Sequence, residues 1–255
     1  MNNLYFCGDI HGEYRKLVWT LCEKNKLRDS SVVILGDFGV GFTKPKELEV
    51  EYKRSEPKLE KNNLNIYVLR GNHDDPDYFK DTSRDFPRLK FLQDHTVYNI
   101  CDRSIYIIGG AYSTDANLDP NYEGEIEDRK VETEKRLRKG KLPTWWEEEC
   151  VMKKYTDLPN RVDIIASHTA PISFDPVSIR TSEISLTQFE NIVEERKYLQ
   201  YILLEVRADY WFYGHYHKNY TGTYNQLLYK GLGVLELSPA PEHKQTNPQG
   251  ELKDE

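Results

Sequence analysis

Eight short segments rich in β-branched or aromatic residues recur along this chain of 255 residues, and they constrain its fold more than any other feature does. Each segment is bounded by Gly, Asn, Asp or charged residues, as strands of a sheet commonly are. The sequence therefore predicts strands over residues 4–7, 32–36, 66–70, 97–100, 105–109, 162–167, 210–213 and 233–237.

Apolar residues recur at helical spacing between several of these strands. The stretches concerned contain Leu17, Val18, Leu21 and Cys22, then Phe189, Ile192 and Val193, and then Leu199, Ile202 and Leu203. The elements begin in the order β-α-β and become consecutive strands towards the C-terminus. This order predicts an α/β (α+β) fold in which one sheet packs on another and helices lie outside. A chain of this length fits one such domain, which we expect over residues 1–240.

Two regions depart from this pattern of strands and helices. Residues 115–154 are dense in charged side chains and include Pro143 and the pair Trp145 and Trp146. A charge run is usually a solvated face, but large aromatic side chains are normally anchored by burial. We therefore expect a charged surface excursion, docked in part by Trp145 or Trp146 near the mouth of the site. Residues 241–255 are polar and are expected to form a flexible tail.

Composition limits the classes of function that the chain can have. A net charge of -7 and a pI near 5.6 argue against extensive nucleic-acid binding, because such binding depends on neutralising many phosphates. The sequence has no apolar run approaching the roughly 18 residues that span a bilayer, and Met1 is not followed by a charged region and an apolar one. We expect a cytoplasmic protein that does not enter membranes. The four cysteines are widely spaced without a CxxC pair, which favours reduced thiols. The oligomeric state stays open.

Five short motifs place potential metal ligands at or beside the ends of the predicted strands. They read GDIHG at 8–12, GDFG at 36–39, GNHD at 71–74, SH at 167–168 and GHYH at 214–217. The carboxyl ends of strands are the edge at which open α/β sheets build their sites. Each motif alone is weak, since a Gly-Asp pair is most often a turn. Their conjunction is stronger, because five of the seven histidines fall within them.

The chemistry of these motifs is that of a metal centre. Aspartate, asparagine and neutral histidine suit divalent ions of intermediate hardness, and the absence of cysteine argues against a thiolate zinc site or an iron–sulfur cluster. His215 and His217 alternate, so in an extended strand they would point to the same side and could reach neighbouring ions.

The ordered set of motifs resembles the calcineurin-like metallophosphoesterase superfamily over residues 8–217, most of the chain. The resemblance implies a four-layer sandwich with two central mixed β-sheets flanked by helices. It also implies two divalent or trivalent metal ions, with manganese, iron or zinc as the candidates. By resemblance, one ion would be held by Asp9, His11 and His217, the other by Asn72, His168 and His215, and Asp37 would bridge both.

Two further segments are similar to a bacterial and phage-type branch of that superfamily. They are GGAYSTD at 109–115 and WWEEE at 145–149. The stretch between them is longer and more charged than the branch implies, so the sequence assigns no role to Asp115, Arg138 or Trp146. Serine/threonine phosphatases of the superfamily extend the second motif to GDxVDRG. Here GDFGVGF places Val40 and Gly41 where those enzymes carry their second aspartate and their arginine.

The expected reaction is hydrolysis of a phosphate ester. Two cations about 3.5 to 4 Å apart can clamp phosphoryl oxygens and acidify a bridging water, and the resulting hydroxide attacks phosphorus in line with the leaving oxygen. His73, which the resemblance leaves outside the ligand set, is placed to protonate the leaving alkoxide. Asp74 or Asp75 could orient His73, and both could equally be turn residues.

Three functions stay open on the sequence alone. The first is hydrolysis of phosphomonoesters, the second is phosphodiesterase or nuclease action at the same bimetal site, and the third is a binding scaffold without catalysis. The intact ligand set and His73 favour an enzyme over a scaffold.

Overall fold

The computed structural model describes residues 3–113, 125–143, 145–174 and 184–242. Its strands are β1 (Asn3–Cys7), β2 (Ser30–Ile34), β3 (Leu64–Val68), β4 (Leu89–Phe91), β5 (Val97–Ile100), β6 (Arg103–Ile108), β7 (Ile164–Ser167), β8 (Tyr210–Tyr213), β9 (Tyr220–Tyr224), β10 (Leu227–Gly231) and β11 (Leu237–Pro239). Its α-helices are α1 (Tyr14–Trp19), α2 (Pro45–Lys61), α3 (Glu125–Arg138) and α4 (Leu186–Glu205), and a π-helical turn, Thr20–Lys24, continues α1.

The strands form two mixed sheets. The first has the order β11-β1-β2-β3-β4, with β1 to β4 parallel and β11 antiparallel to β1. The second has the order β5-β6-β7-β8-β10-β9, with parallel pairing from β6 to β10 and antiparallel strands at both edges. Two parallel blocks therefore present the carboxyl ends of their strands along one edge each.

The two sheets pack face to face. Phe6 on β1 stacks on Phe212 on β8 with ring centroids 4.0 Å apart, inside a core drawn from both sheets. The opposite face of the first sheet packs on α1 and α2, and that of the second sheet packs on α4. Central strands are thus buried on both faces, which explains why they read as continuous apolar runs. The predicted arrangement of two mixed sheets flanked by helices is confirmed.

The long helix α4 begins at a well-defined signal in the sequence. The Ser185 side chain accepts the Gln188 N–H while the Gln188 side chain accepts the Ser185 N–H, which is the capping box that fixes a helix start. From there Tyr198, Leu199 and Ile202 turn into the core of the second sheet. This helix matches its predicted spacing.

Other elements differ from the prediction. Residues 233–236 do not form a strand, because β10 ends at Gly231 and the chain turns through Leu235, whose φ is 57°. Of the predicted strand 233–237, only Leu237 is in a strand, as the first residue of β11. Strands β4, β9 and β10 were not predicted, since β4 has three residues and β9 is a largely solvated edge strand. Helix α2 was not predicted either, because charged side chains cover it except where Leu48, Tyr52 and Leu59 face the core.

Parts of the predicted excursion and tail lie outside the described residues. These parts are 115–124 and 144 in the excursion and 243–255 in the tail. Within the described ranges, no helix combines the length and the apolar character that crossing a membrane requires.

Candidate metal centre

The metal-ligand candidates all follow strands at the edge where the two sheets meet. Asp9 and His11 follow β1, Asp37 follows β2, Asn72 follows β3, His168 follows β7, and His215 and His217 follow β8. The first four therefore belong to loops of the first sheet and the last three to loops of the second. The structure brings all seven together as two clusters that share Asp37.

The first cluster consists of Asp9, His11, Asp37 and His217, with one ligand atom of each within 4.8 Å of the others. The Nε2 atoms of His11 and His217 lie 2.8 Å apart. His217 Nε2 is 3.1 Å from Asp9 Oδ2, and His11 Nε2 is 4.0 Å from Asp37 Oδ2. Two carboxylates and two imidazoles thus point at one small volume.

The second cluster consists of Asp37, His168 and His215, with Asn72 beside them. His168 Nε2 lies 3.3 Å from Asp37 Oδ1 and 2.9 Å from Asn72 Oδ1. His168 Nδ1 is 2.7 Å from the carbonyl oxygen of Leu35, a bond that fixes Nδ1 as the donor and leaves Nε2 for the cluster. Asp37 therefore directs Oδ2 to the first cluster and Oδ1 to the second.

These residues fit bound cations on their own geometry. Asp9 is fully buried, and its Oδ2 accepts no hydrogen bond of acceptable geometry. In the second cluster, two oxygen acceptors face one imidazole nitrogen, an arrangement that needs a proton or a cation between them. Buried carboxylates without a compensating positive charge are costly, so a cation at each cluster would remove that cost.

The pKa values of the residues in the second cluster also indicate that this cluster favours positive charge. Burial lowers the pKa of His168, but the Asp37 carboxylate more than offsets this and raises that pKa to about 9. Burial raises the pKa of Asp37, and the facing His168 outweighs it, so the pKa of Asp37 is lowered. Burial, reinforced by His168, lowers the pKa of His215 to about 3. The Asp37 carboxylate therefore favours positive charge at this cluster.

Four ligand residues adopt left-handed backbone conformations. The φ angles are 46° at His11 and Asp37, 66° at His215 and 53° at His217. Such conformations are uncommon for non-glycine residues and cluster where a structure imposes them at functional sites. The prediction that His215 and His217 share an extended strand is wrong, because β8 ends at Tyr213 and both residues lie in bends. The bends send His217 to the first cluster and His215 to the second.

The glycines of two motifs are required by close packing against ligands. A Cβ at Gly214 would overlap Asp9 Oδ1 and the carbonyl oxygen of Leu35. A Cβ at Gly36 would overlap the His168 ring. Side chains at these positions would displace the ligands themselves.

His73 and Asp74, the predicted catalytic residues, lie beside the first cluster and under it, respectively. The His73 ring is half-buried, with its centroid 5.7 Å from that of His11, and the backbone N–H of His73 donates to Asp37 Oδ1. Asp74 is fully buried and accepts the backbone N–H groups of Phe38, Gly39, Val40 and Gly71 at 2.6–3.2 Å. The bonds from Phe38, Gly39 and Val40 tie the GDFG loop to the GNHD loop, and the bond from Gly71 lies within the GNHD loop. The structure thus gives Asp74 a positioning role.

Asp75 and Arg70 have structural partners. Asp75 Oδ1 accepts the N–H of Asp77 and caps the 3₁₀ helix Pro76–Phe79. Arg70 is buried, pairs with Asp94 at 2.9 Å and donates to the carbonyl oxygens of Glu148, Glu149 and Cys150. Arg70 therefore secures the end of the charged excursion against β3.

An aromatic wall borders His73. The Phe42 ring lies 5.5 Å from the His73 ring, and the Trp146 ring lies 5.6 Å from Phe42. A groove of about 560 Å³ runs alongside, between α3 and the loop that follows His73. Its charged lining is mostly acidic, with Lys130 as the base and Asp75, Asp77, Glu134, Glu147 and Glu148 as the acids. Arg138, on α3, forms an exposed pair with Glu134, and Asp115 lies outside the described residues.

Sequence reasoning missed a buried polar network behind Asn72. Asn72 Nδ2 donates to Ser113 Oγ at 2.7 Å, Ser113 Oγ donates to Glu149 Oε2 at 2.8 Å, and Arg129 on α3 pairs with Glu149 at 3.2 Å. Burial raises the pKa of Glu149 to about 7, against the opposing effects of Ser113 and Arg129. One signal was available: GGAYS follows β6 as the ligand motifs follow their strands, and so ends at the same edge.

The family model for calcineurin-like phosphoesterase matches residues 3–219. No curated protein matches the chain. Among solved structures, the chain is similar to a phosphopantetheinyl hydrolase from Mycobacterium tuberculosis, with 12% identity, a TM-score of 0.45, and 97% of this chain and 99% of that chain covered.

A second similar structure is GAP50, described as the anchor in the inner membrane complex of Plasmodium. It has 11% identity and a TM-score of 0.36, with 91% of this chain and 72% of that chain covered. Neither structural likeness is close enough to carry an argument about activity. The family model covers most of the sequence, and by that match the chain belongs to the calcineurin-like phosphoesterase family.

Proposed function

We propose that this chain hydrolyses phosphate esters, phosphomonoesters first among them, at a centre of two metal ions. The observation that carries the proposal is the division of the Asp37 carboxylate, with Oδ2 facing the first cluster and Oδ1 facing the second. Asp9, His11 and His217 complete the first set of ligands. Asn72, His168 and His215 complete the second.

The chain's own residues account for binding, orientation and proton transfer. Two bound ions, with manganese, iron or zinc as the candidates, would supply Lewis acidity towards phosphoryl oxygens and towards water. His73 donates a proton to the leaving oxygen, since its ring stands at the edge of the first cluster and is not one of its ligands. Asp74 holds the loops that carry Asp37 and His73.

Leaving groups then lie on the His73 side, against Phe42 and Trp146. This placement favours esters whose leaving group is compact enough to sit against an aromatic wall. The acidic lining of the adjacent groove disfavours long polyanions, so nuclease action is the second choice. A cytoplasmic location and a single domain over residues 1–240 belong to the same proposal.

A paired ester assay tests this function. Protein stripped of metal and reloaded with manganese should hydrolyse p-nitrophenyl phosphate faster than bis(p-nitrophenyl) phosphate. A faster rate on the bis ester would make the chain a phosphodiesterase. No turnover of either ester with manganese, iron, zinc or cobalt would overturn the enzymatic assignment and leave a binding scaffold.

A further inference from the structure

The orientation of the Asn72 side-chain amide decides whether the second cluster is complete. An asparagine amide presents an oxygen acceptor on one side and a nitrogen donor on the other. The oxygen can ligate a cation and the nitrogen cannot. In the structure Oδ1 faces His168 and Nδ2 faces Ser113, so the ligating atom is turned to the cluster.

The contacts of Ser113 determine this orientation. Its hydroxyl has one proton, and that proton goes to Glu149 Oε2 at 2.8 Å. Glu149 Oε1 is already occupied by the Ser113 N–H at 3.1 Å and by Arg129 Nη1 at 3.2 Å. While Glu149 is ionised, its carboxylate only accepts, so Ser113 Oγ has lone pairs but no proton left for Asn72. Asn72 must therefore offer its N–H to Ser113, which leaves Oδ1 for the cluster.

Ser113 and Glu149 are themselves firmly held. Both are buried, at 5% and 2% exposure. The Ala111 N–H donates to the Glu149 carbonyl oxygen, and the Arg70 guanidinium donates to the same atom. Glu195 on α4 accepts the N–H groups of Tyr112, one residue before Ser113, and of Val151, two residues after Glu149. Ser113 and Glu149 therefore have little freedom to rearrange.

The outermost residue of this chain of hydrogen bonds lies in the charged excursion. Arg129, on α3, donates to Glu149 Oε1 and to the Ser113 carbonyl oxygen, and it is 5% exposed. A helix that the sequence presents as a solvated surface element thus reaches the second cluster through three hydrogen-bonded side chains.

We propose that Ser113, Glu149 and Arg129 form a positioning relay that fixes Asn72 as an oxygen ligand, so that docking of the excursion and occupancy of the second metal site depend on each other. The inference rests on the proposed metal centre. None of the three residues touches the ligands of the first cluster in the contacts described above. The relay therefore acts on one ion and leaves the other unchanged. Outer partners of metal ligands typically contribute about 10–100-fold to metal affinity.

Manganese titration of the metal-free full chain tests the relay. In wild type, equilibrium dialysis with metal analysis should give two ions per chain. Ser113→Ala removes the acceptor of the Asn72 N–H, and it should weaken the second ion by about 10–100-fold while changing the first by less than about twofold. Glu149→Gln keeps the shape but lets the amide donate to Ser113, so it should weaken the same ion by a smaller factor at pH 8.

The chain offers a matched control for loss of a serine–carboxylate pair. Ser104 donates both its Oγ and its N–H to Asp163, as Ser113 does to Glu149, but at the far end of β6 from the site. Ser104→Ala should lower stability without changing either metal affinity.

Hydrogen–deuterium exchange gives a second readout. Manganese should increase the protection of α3 in wild type, and Ser113→Ala should abolish that increase, because binding and docking are reciprocally linked. A Ser113→Ala or Glu149→Gln protein that binds the second ion as wild type does would overturn the relay and leave the proposed function intact. Equal weakening of both ions would overturn it as well. A wild-type chain that takes up no second ion would contradict the metal centre itself and the relay with it.

Discussion

Asp37 is the residue on which both halves of the centre depend. It is almost fully buried, its two carboxylate oxygens face different clusters, and its backbone is held in a left-handed conformation by the tight GDFG loop. Asp37 Oδ1 also accepts the backbone N–H of His73. A change at Asp37 therefore alters both clusters and the loop that carries His73.

Replacing Asp37 by asparagine should abolish turnover and reduce bound metal from two ions to one or fewer. The amide offers one oxygen ligand where the carboxylate offers two, and it lacks the negative charge that favours cations. Metal analysis and ester hydrolysis measure the result. Asp163→Asn, the same change at an aspartate that binds Ser104 away from the site, should keep both ions. An Asp37→Asn protein with full metal content and rate would refute the bridging role.

His73→Ala should slow esters with poor leaving groups more than activated ones. Proton donation in the transition state contributes about 10²–10⁴-fold, and good leaving groups need less of it. The comparison is kcat for alkyl phosphates against kcat for p-nitrophenyl phosphate. Metal content should be unchanged, because His73 lies outside both clusters. Equal losses on the two kinds of ester would argue against the acid role.

At the scale of elements, the loops that follow strands could be predicted from the sequence, whereas contacts between residues far apart in the sequence could not. Asp9, Asp37, Asn72 and His168 follow apolar strands whose own sequences identify them, so local pattern was enough. The alternation of His215 and His217 suggested extended backbone beyond the predicted strand 210–213, whereas both adopt φ values that the sequence pattern did not reveal.

The missed elements have a common physical cause. Helix α2 buries a narrow stripe beneath a charged surface, and β9 stands at a sheet edge with half its residues in solvent. Their periodicity is therefore weak. The Ser113–Glu149 contact joins residues 36 positions apart, and no local spacing encodes it.

The stability of the fold should depend on pH through Glu149, a residue of the charged excursion. Its pKa rises from the ordinary value of 4.5 to about 7 in the folded chain, chiefly because of burial. A group that holds its proton more tightly when folded stabilises the fold below about pH 4.5, and this contribution is lost as the pH rises towards 7. The loss corresponds to about 3 kcal/mol.

Glu149→Gln should remove this loss of stability with rising pH. Urea unfolding of metal-free protein at pH 5 and pH 8 should show a smaller decrease in unfolding free energy for Glu149→Gln than for wild type. Glu148→Gln, at the exposed neighbouring position, should behave as wild type. The same pH dependence in all three proteins would show that Glu149 does not titrate as described.

For the whole molecule, the centre joins the two sheets. Loops of the first sheet supply Asp9, His11, Asp37 and Asn72, and loops of the second supply His168, His215 and His217. Ions that bind both sets of ligands bind the folded state alone, and they stabilise it by mass action.

Removing metal should therefore lower the melting temperature. At free metal about 100 times the dissociation constant, each site contributes about 2.7 kcal/mol. For a chain of this size, two such sites correspond to a decrease of about 10–20 °C on chelation. Differential scanning calorimetry with and without chelator measures the change. Asp37→Asn should show a smaller decrease, and an unchanged wild-type melting temperature would contradict the cross-sheet centre.

The first cluster joins ligand residues that lie far apart in the sequence. Asp9 and His11 leave the ribosome early, whereas His217 follows them by about 200 residues. During synthesis, Asp9, His11 and Asp37 lack their fourth partner until the chain has been made as far as His217. Metal acquisition must therefore come after translation of His217, and a chain released before that point carries the first motif but has no complete site in which to hold an ion.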